Sequence, residues 1–181
     1  LPDRALHSAR PPSVFCSIIH LMKNKRFFTP HGIALSALIA ALYTGLTFVL
    51  APISFGPVQF RVSEALTLLP FCLPEAVPGL FIGCLISNML GGFGIIDIVL
   101  GSAATLAAAW ITSKMPNVWL AALPPVVINA VVVGTYIAIL SSTPVAWSIL
   151  YIGASQAAIC YAVGVPLILY VKRSGVLEKY R

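Results

Sequence analysis

The sequence predicts an all-α membrane protein, a bundle of six transmembrane helices, and three observations carry that prediction. Charged residues make up 9% of the 181 positions and hydrophobic ones 59%, with a mean hydropathy of +0.97, whereas a soluble domain carries roughly 25% charged residues. The charges are also segregated. Asp3, Arg4, Arg10, Lys23, Lys25 and Arg26 lie near the start, and Lys172, Arg173, Glu178, Lys179 and Arg181 near the end. Only Arg61, Glu64, Glu75, Asp97 and Lys114 interrupt the residues between. Finally, the apolar runs are continuous and about twenty residues long, the length of a helical span, whereas transmembrane strands alternate over about ten.

The elements follow in order. Residues 1–21 differ from the rest, and MKNKRFF from Met22 reads as a short basic head before an apolar run. Residues 1–21 are therefore expected to be a vector scar or upstream translation, and 22–181 a single transmembrane domain. A secretory signal peptide fits poorly, because the run after Arg26 is as long as a full span and lacks a convincing cleavage site. The first span is expected near 31–50. The stretch 62–90 is broken at Pro70, Pro74 and Pro78, and its halves, 62–73 and 76–90, are each short for a span. Two short spans and a re-entrant hairpin both fit. Two spans are preferred, because Pro suits a helix start or stop. Further spans are expected near 95–113, 118–140 and 146–171.

Lys and Arg near span ends mark the cytoplasmic side. Lys23, Lys25 and Arg26 place the start inside, and Lys172, Arg173, Lys179 and Arg181 the end, so the number of crossings is even. With six spans Lys114 also falls inside and Arg61 alone outside; four spans and a hairpin give the same sidedness. On the first span Ala37, Ala41 and Gly45 recur every four residues, a small-residue stripe that another helix can approach closely. Packing within the bundle explains that stripe as readily as a special role, and Gly153 with Ala157 forms a similar pair.

Under the six-span reading, polar residues gather at the outer face. Gln59, Arg61 and Glu64 lie where the first outer loop enters the second helix, and the spacing of Arg61 and Glu64 permits an ion pair. Asn88 ends the third helix, Asp97 begins the fourth after GGFG, and Trp147 and Tyr151 open the sixth. Asn129 and Gln156 lie deeper. Ionisable residues at membrane depth usually serve function. The alternatives are a macrodipole role for Asp97, a structural Arg61–Glu64 pair, helix-to-helix bonding for Asn129, and an interfacial belt role for Trp147 and Tyr151. Glu75, on the cytoplasmic side, fits an acid at a helix start.

Several classes find no support. There is no Walker A, HExxH or GxSxG pattern. Two of the three His lie in 1–21, leaving His31 and no metal cluster, and Cys16, Cys72, Cys84 and Cys160 show no CxxC spacing. The basic excess is explained by membrane sidedness, so nucleic-acid binding is not expected.

The runs FGPVQFRVSEALTLLP (55–70) and LPEAVPGLFIGCLISNMLGGFGIIDIVLGSAATLAAAW (73–110) resemble the QueT family, predicted queuosine-precursor transporters that serve as substrate-binding (S) components of energy-coupling factor transporters. The likeness runs from about 30 to 172, and RVSEAL and GIIDIVLGS are its more specific blocks. It implies a six-helix S component in a prokaryotic plasma membrane, without cofactor or ATPase activity. Such a component docks on a transmembrane coupling subunit carried by two cytoplasmic ATPases. It also implies that Ala37, Ala41 and Gly45 form the docking face and that the ligand is a 7-deazaguanine: preQ1, preQ0 or queuine. A carboxylate can accept two adjacent N–H donors of a guanine-like edge, and Glu64 and Asp97 are the acids expected at the outer face. Trp147 and Tyr151 are candidates for stacking on the ring, with Asn88, Asn129 and Gln156 for its remaining polar atoms. The rival readings are an S component for cobalamin or a flavin, a stand-alone secondary transporter, and a membrane enzyme.

Overall fold

A computed structural model describes residues 29–55 and 59–174. The expectation for 1–21 and the terminal charges Lys23, Lys25, Arg26, Lys179 and Arg181 lie outside the described residues. Within them the chain forms six helical segments and one additional turn, Ala51–Ser54. Segment α1, Pro30–Val49, starts where the Thr29 side chain accepts a hydrogen bond from the Gly32 amide at 3.0 Å, with Pro30 in its first turn. Segment α2, Val62–Phe71, is a 3₁₀ helix. Segment α3 is Ala76–Gly91. Segment α4, Asp97–Thr112, opens with a π-helical turn over Asp97–Gly101. Segment α5, Val118–Leu140, is capped by Asn117, which accepts from the Leu120 amide at 2.8 Å. Segment α6, Val145–Arg173, contains a second π turn at Cys160–Gly164.

These segments fall where the apolar runs place them. Pro70 lies in the last turn of α2, Pro74 between helices, and Pro78 in the first turn of α3, where a missing N–H breaks no helical bond. Glu75 is the residue that opens α3, although its side chain makes no capping bond. Three of the segments, α1, α5 and α6, are long and apolar enough to cross a membrane; α2, α3 and α4 are shorter apolar helices.

Residue pairings give the direction of each segment. Gly134 meets Ile149 while Gly153 meets Ala130, so α5 and α6 are antiparallel. Thr112 bonds to Ala121, and Tyr136 to Asp97, so α4 and α5 are too. Gly79 meets Ser36 and Gly83 meets Ala40, so α1 and α3 run parallel. Ala65 meets Gly164, and Lys172 lies over the Phe71 ring at 4.3 Å, so α2 and α6 are also parallel. The segments thus alternate along the chain, and α1 begins at the end of the bundle where α6 finishes.

Segment α2 runs through the middle. Every residue from Ser63 to Pro70 is buried, and Leu66, Leu68 and Leu69 join Tyr43, Leu80, Val165 and Ile168 in the main core. The other segments turn large apolar side chains outward, among them Leu38, Met89, Val99, Val131 and Leu150. A helix buried on every side and neighbours with apolar outer faces are what lipid as solvent requires.

Candidate functional site

Because α2 is central, it carries Arg61 and Glu64 into the interior, 5% and 2% exposed. Three residues apart, they do not pair as the spacing suggested. Arg61 precedes the helix with an extended backbone (φ −88°, ψ 97°), which sends its side chain elsewhere. Arg61 Nη1 donates to Asn88 Oδ1 at 2.8 Å, and Nε donates to the Ser54 carbonyl at 3.4 Å. Its Nη2 stands 3.5 Å from Asp97 Oδ2, so the ion pair is Arg61–Asp97. Glu64 belongs to another set of partners. Tyr43 of α1 donates its hydroxyl to Oε1, and Asn129 of α5 donates Nδ2 to Oε2 at 3.2 Å.

Asp97 opens α4 but lies fully buried, so a macrodipole role alone does not account for it. Its Oδ1 accepts from the Tyr136 hydroxyl, and its carbonyl accepts from Asn88 Nδ2 at 3.0 Å. Gly101, one turn on, makes room for this convergence. A Cβ there would stand 2.7 Å from Asn88 Nδ2, 3.1 Å from Asp97 Oδ1 and 3.2 Å from the Tyr136 hydroxyl. Thr47 and Ser63 share a hydrogen bond of 2.7 Å beside the network. The Phe55 ring covers Arg61 at 5.4 Å and lies between Phe48 and Phe93.

A buried polar network in an apolar bundle is satisfied internally or left open for something else. This one is partly open. Asp97 Oδ2, Arg61 Nη2, Asn129 Oδ1, Gln59 Nε2, Ser54 Oγ and Ser102 Oγ are buried without hydrogen-bond partners. Gln59 also adopts a positive φ of 46°, a conformation that costs about 1–3 kcal/mol outside glycine and concentrates at functional sites.

Of the residues singled out in the sequence, Arg61, Asn88 and Asp97 form one connected set in the interior and Glu64 and Asn129 a second. Gln59 and Gln156 are buried as well, Gln156 with its Oε1 4.0 Å from Cys160 Sγ. Trp147 and Tyr151 are more than half exposed. They stack on each other with centroids 5.9 Å apart, on a face of α6 turned away from buried Ile152 and Gln156. Tyr43 and Tyr136 were not singled out, although each hydroxyl holds a carboxylate. The available signal was a tyrosine inside an apolar span, whose hydroxyl needs a partner.

The first-helix stripe also has a definite place. Ala37, Ala41 and Gly45 are all exposed, and a Cβ on Gly45 would meet nothing within 4 Å. Packing within the bundle does not explain them. The close packing of α1 uses its other face against Gly79 and Gly83, where added Cβ atoms would stand 2.5 Å from the Ser36 carbonyl oxygen and 2.9 Å from that of Ala40.

The family model described as QueT transporter matches residues 33–173. The Queuosine precursor transporter QueT of Lactococcus lactis subsp. cremoris is 42% identical over 78 residues, covering 42% of this chain and 46% of that protein. The chain thus spans a little under half the length of that relative. No solved structure matches the chain. With the family model extending from the first turn of α1 to the last residue of α6, the chain belongs to the QueT transporter family.

Proposed function

We propose that the chain is the substrate-binding (S) subunit of an energy-coupling factor transporter that imports a queuosine precursor: preQ1, preQ0 or queuine. Family membership and the likeness to the Queuosine precursor transporter of Lactococcus lactis support the cargo. The observation that carries ligand binding is the interior cluster of Arg61, Glu64, Asn88, Asp97 and Asn129. It holds two acids and one cation, with buried donors and acceptors left open. A flat heterocycle rich in N–H and C=O groups has the chemistry to complete such a set.

The chain crosses a prokaryotic plasma membrane six times in this reading, with both ends in the cytoplasm. Lys114 packs over the Trp110 ring at 4.0 Å and Lys172 over Phe71 at 4.3 Å. Both lie towards the bundle end at which α6 finishes, which suits the positive-inside rule. Ala37, Ala41 and Gly45 form the face that docks on the transmembrane coupling subunit. Two cytoplasmic ATPases supply the energy, and this chain catalyses nothing. Trp147 and Tyr151 act as interfacial belt residues.

Thermal unfolding of the purified protein with preQ1, preQ0, queuine, cobalamin and riboflavin tests the cargo. A ligand at 100 times its Kd stabilises by about 2.7 kcal/mol, so a clear upward shift is expected with a 7-deazaguanine alone. A shift with cobalamin or riboflavin only would transfer the chain to another cargo.

A further inference from the structure

The two buried acids are not equivalent. Both oxygens of Glu64 are engaged, Oε1 by Tyr43 and Oε2 by Asn129. Asp97 is half used, because Tyr136 takes Oδ1 and Oδ2 accepts nothing. Arg61 is half used in the same way. Its Nη1 and Nε donate to Asn88 and Ser54, and Nη2 donates to nothing. Asp97 Oδ2 and Arg61 Nη2 stand 3.5 Å apart, within ion-pair reach but out of hydrogen-bond geometry, since the other half of each group is held by a different partner.

The unused capacity is therefore one anionic acceptor beside one cationic donor. Neither acid presents two free oxygens, which the two adjacent N–H donors of a guanine-like edge would require. A group carrying its own donor and acceptor side by side fits instead. In a cyclic amide the nitrogen and the carbonyl oxygen lie about 2.2 Å apart by ordinary amide bond lengths. Hydrogen bonds of about 2.8–2.9 Å then reach two protein atoms at the observed spacing with slight splay.

We infer that Asp97 and Arg61 together read the lactam edge of a planar heterocycle, Asp97 Oδ2 accepting the ring N–H and Arg61 Nη2 donating to the ring carbonyl. The inference rests on the proposed binding of a 7-deazaguanine. It specifies which edge is read and by which residues, and it makes Glu64 a positioning residue rather than a ligand contact. Both bonds are charge-assisted, and two of them side by side fix the plane of the ring as well as its edge.

The test is equilibrium binding to the full chain of two compounds that differ only at the edge in question. One is 7-deazaguanine. The other is 2,6-diamino-7-deazapurine, whose ring nitrogen is an acceptor and whose 6-amino group is a donor. A site built to hydrogen-bond one pattern rejects the reversed one strongly, so the wild type is expected to prefer the lactam by at least about 100-fold. In Asp97→Asn the preference is expected to shrink by at least about tenfold, since an amide can turn its NH₂ towards the ring nitrogen. In Glu64→Gln affinity falls and the preference persists. Equal binding of both compounds by the wild type overturns the inference, even where Asp97→Asn does not fold. So does a preference that survives Asp97→Asn. Failure to bind either compound overturns the 7-deazaguanine reading itself, and the inference with it.

Discussion

Arg61 ties together three parts of the bundle, bonding to the Ala51–Ser54 turn at Ser54 and to α3 at Asn88 and facing α4 at Asp97. Removing one member of a buried ion pair leaves the other charge uncompensated, at about 3–5 kcal/mol. Arg61→Met is therefore expected to lower the thermal unfolding midpoint in detergent substantially. Adding Asp97→Asn should recover part of the loss, because the stranded charge is gone. A double variant no more stable than Arg61→Met would show that lost packing, not stranded charge, dominates. Gly101 acts on the same group through space alone. Gly101→Ala places a methyl 2.7 Å from Asn88 Nδ2, so the amide and Asp97 must shift. Ligand affinity measured by calorimetry is expected to fall at least tenfold, about 1.4 kcal/mol, with the fold retained.

The segments depart from regular α-helix where they serve the interior. A ten-residue α-helix is about 15 Å long, whereas the same residues wound as 3₁₀ extend to about 20 Å. The 3₁₀ winding of α2 thus lengthens the segment the prolines had cut short, and it lines up Glu64 with Thr67, whose hydroxyl bonds the Glu64 carbonyl at 2.5 Å. Each π turn ends on a glycine against a close neighbour, Gly101 at the acid site and Gly164 at Ala65 of α2. Neither winding was legible in the sequence. Apolar periodicity reports that a helix exists and how long it is, while a tighter 3₁₀ or a wider π turn is decided by what the helix packs against. The two faces of α1 give the element-scale prediction. Gly83→Val drives its Cβ into the Ala40 carbonyl and is expected to destabilise by about 1–3 kcal/mol, as overpacking does. Gly45→Val meets nothing and should leave unfolding unchanged, yet abolish uptake in cells that contain the coupling subunit and ATPases. Unchanged uptake would remove the docking role of this face.

At the scale of the whole molecule, spans near 31–50, 118–140 and 146–171 were legible because lipid imposes long apolar runs, and those runs became α1, α5 and α6. The acids were legible because charge is scarce between the two ends of the chain. Their pairing was not: Arg61 and Glu64 are neighbours in sequence, while Asp97, thirty-six positions from Arg61, is its neighbour in space. Tyr43 and Tyr136 were hidden for a related reason, since a tyrosine in an apolar run looks like packing until its hydroxyl partner is seen. What the chain folds into also bears on how it lies in a membrane. The alternating segments bring the start of α1 and the end of α6 to one end of the bundle, with Lys172 against Phe71 there. The connection holding Lys114, between α4 and α5, returns towards that end, and the one holding Ser142, between α5 and α6, lies at the other. In the proposed orientation Lys114 lies in the cytoplasm and Ser142 outside. Single-cysteine variants Lys114→Cys and Ser142→Cys, in a background without the native cysteines, test this with a membrane-impermeant maleimide on intact cells. Ser142→Cys is expected to label at once and Lys114→Cys only after permeabilisation. The reverse pattern would invert the protein in the membrane and move the end of the bundle that holds Arg61 and Asp97 to the cytoplasmic side, where it could not capture a solute from outside. Labelling of both on intact cells would instead mean that α5 does not cross, and the six-span bundle would have to be abandoned.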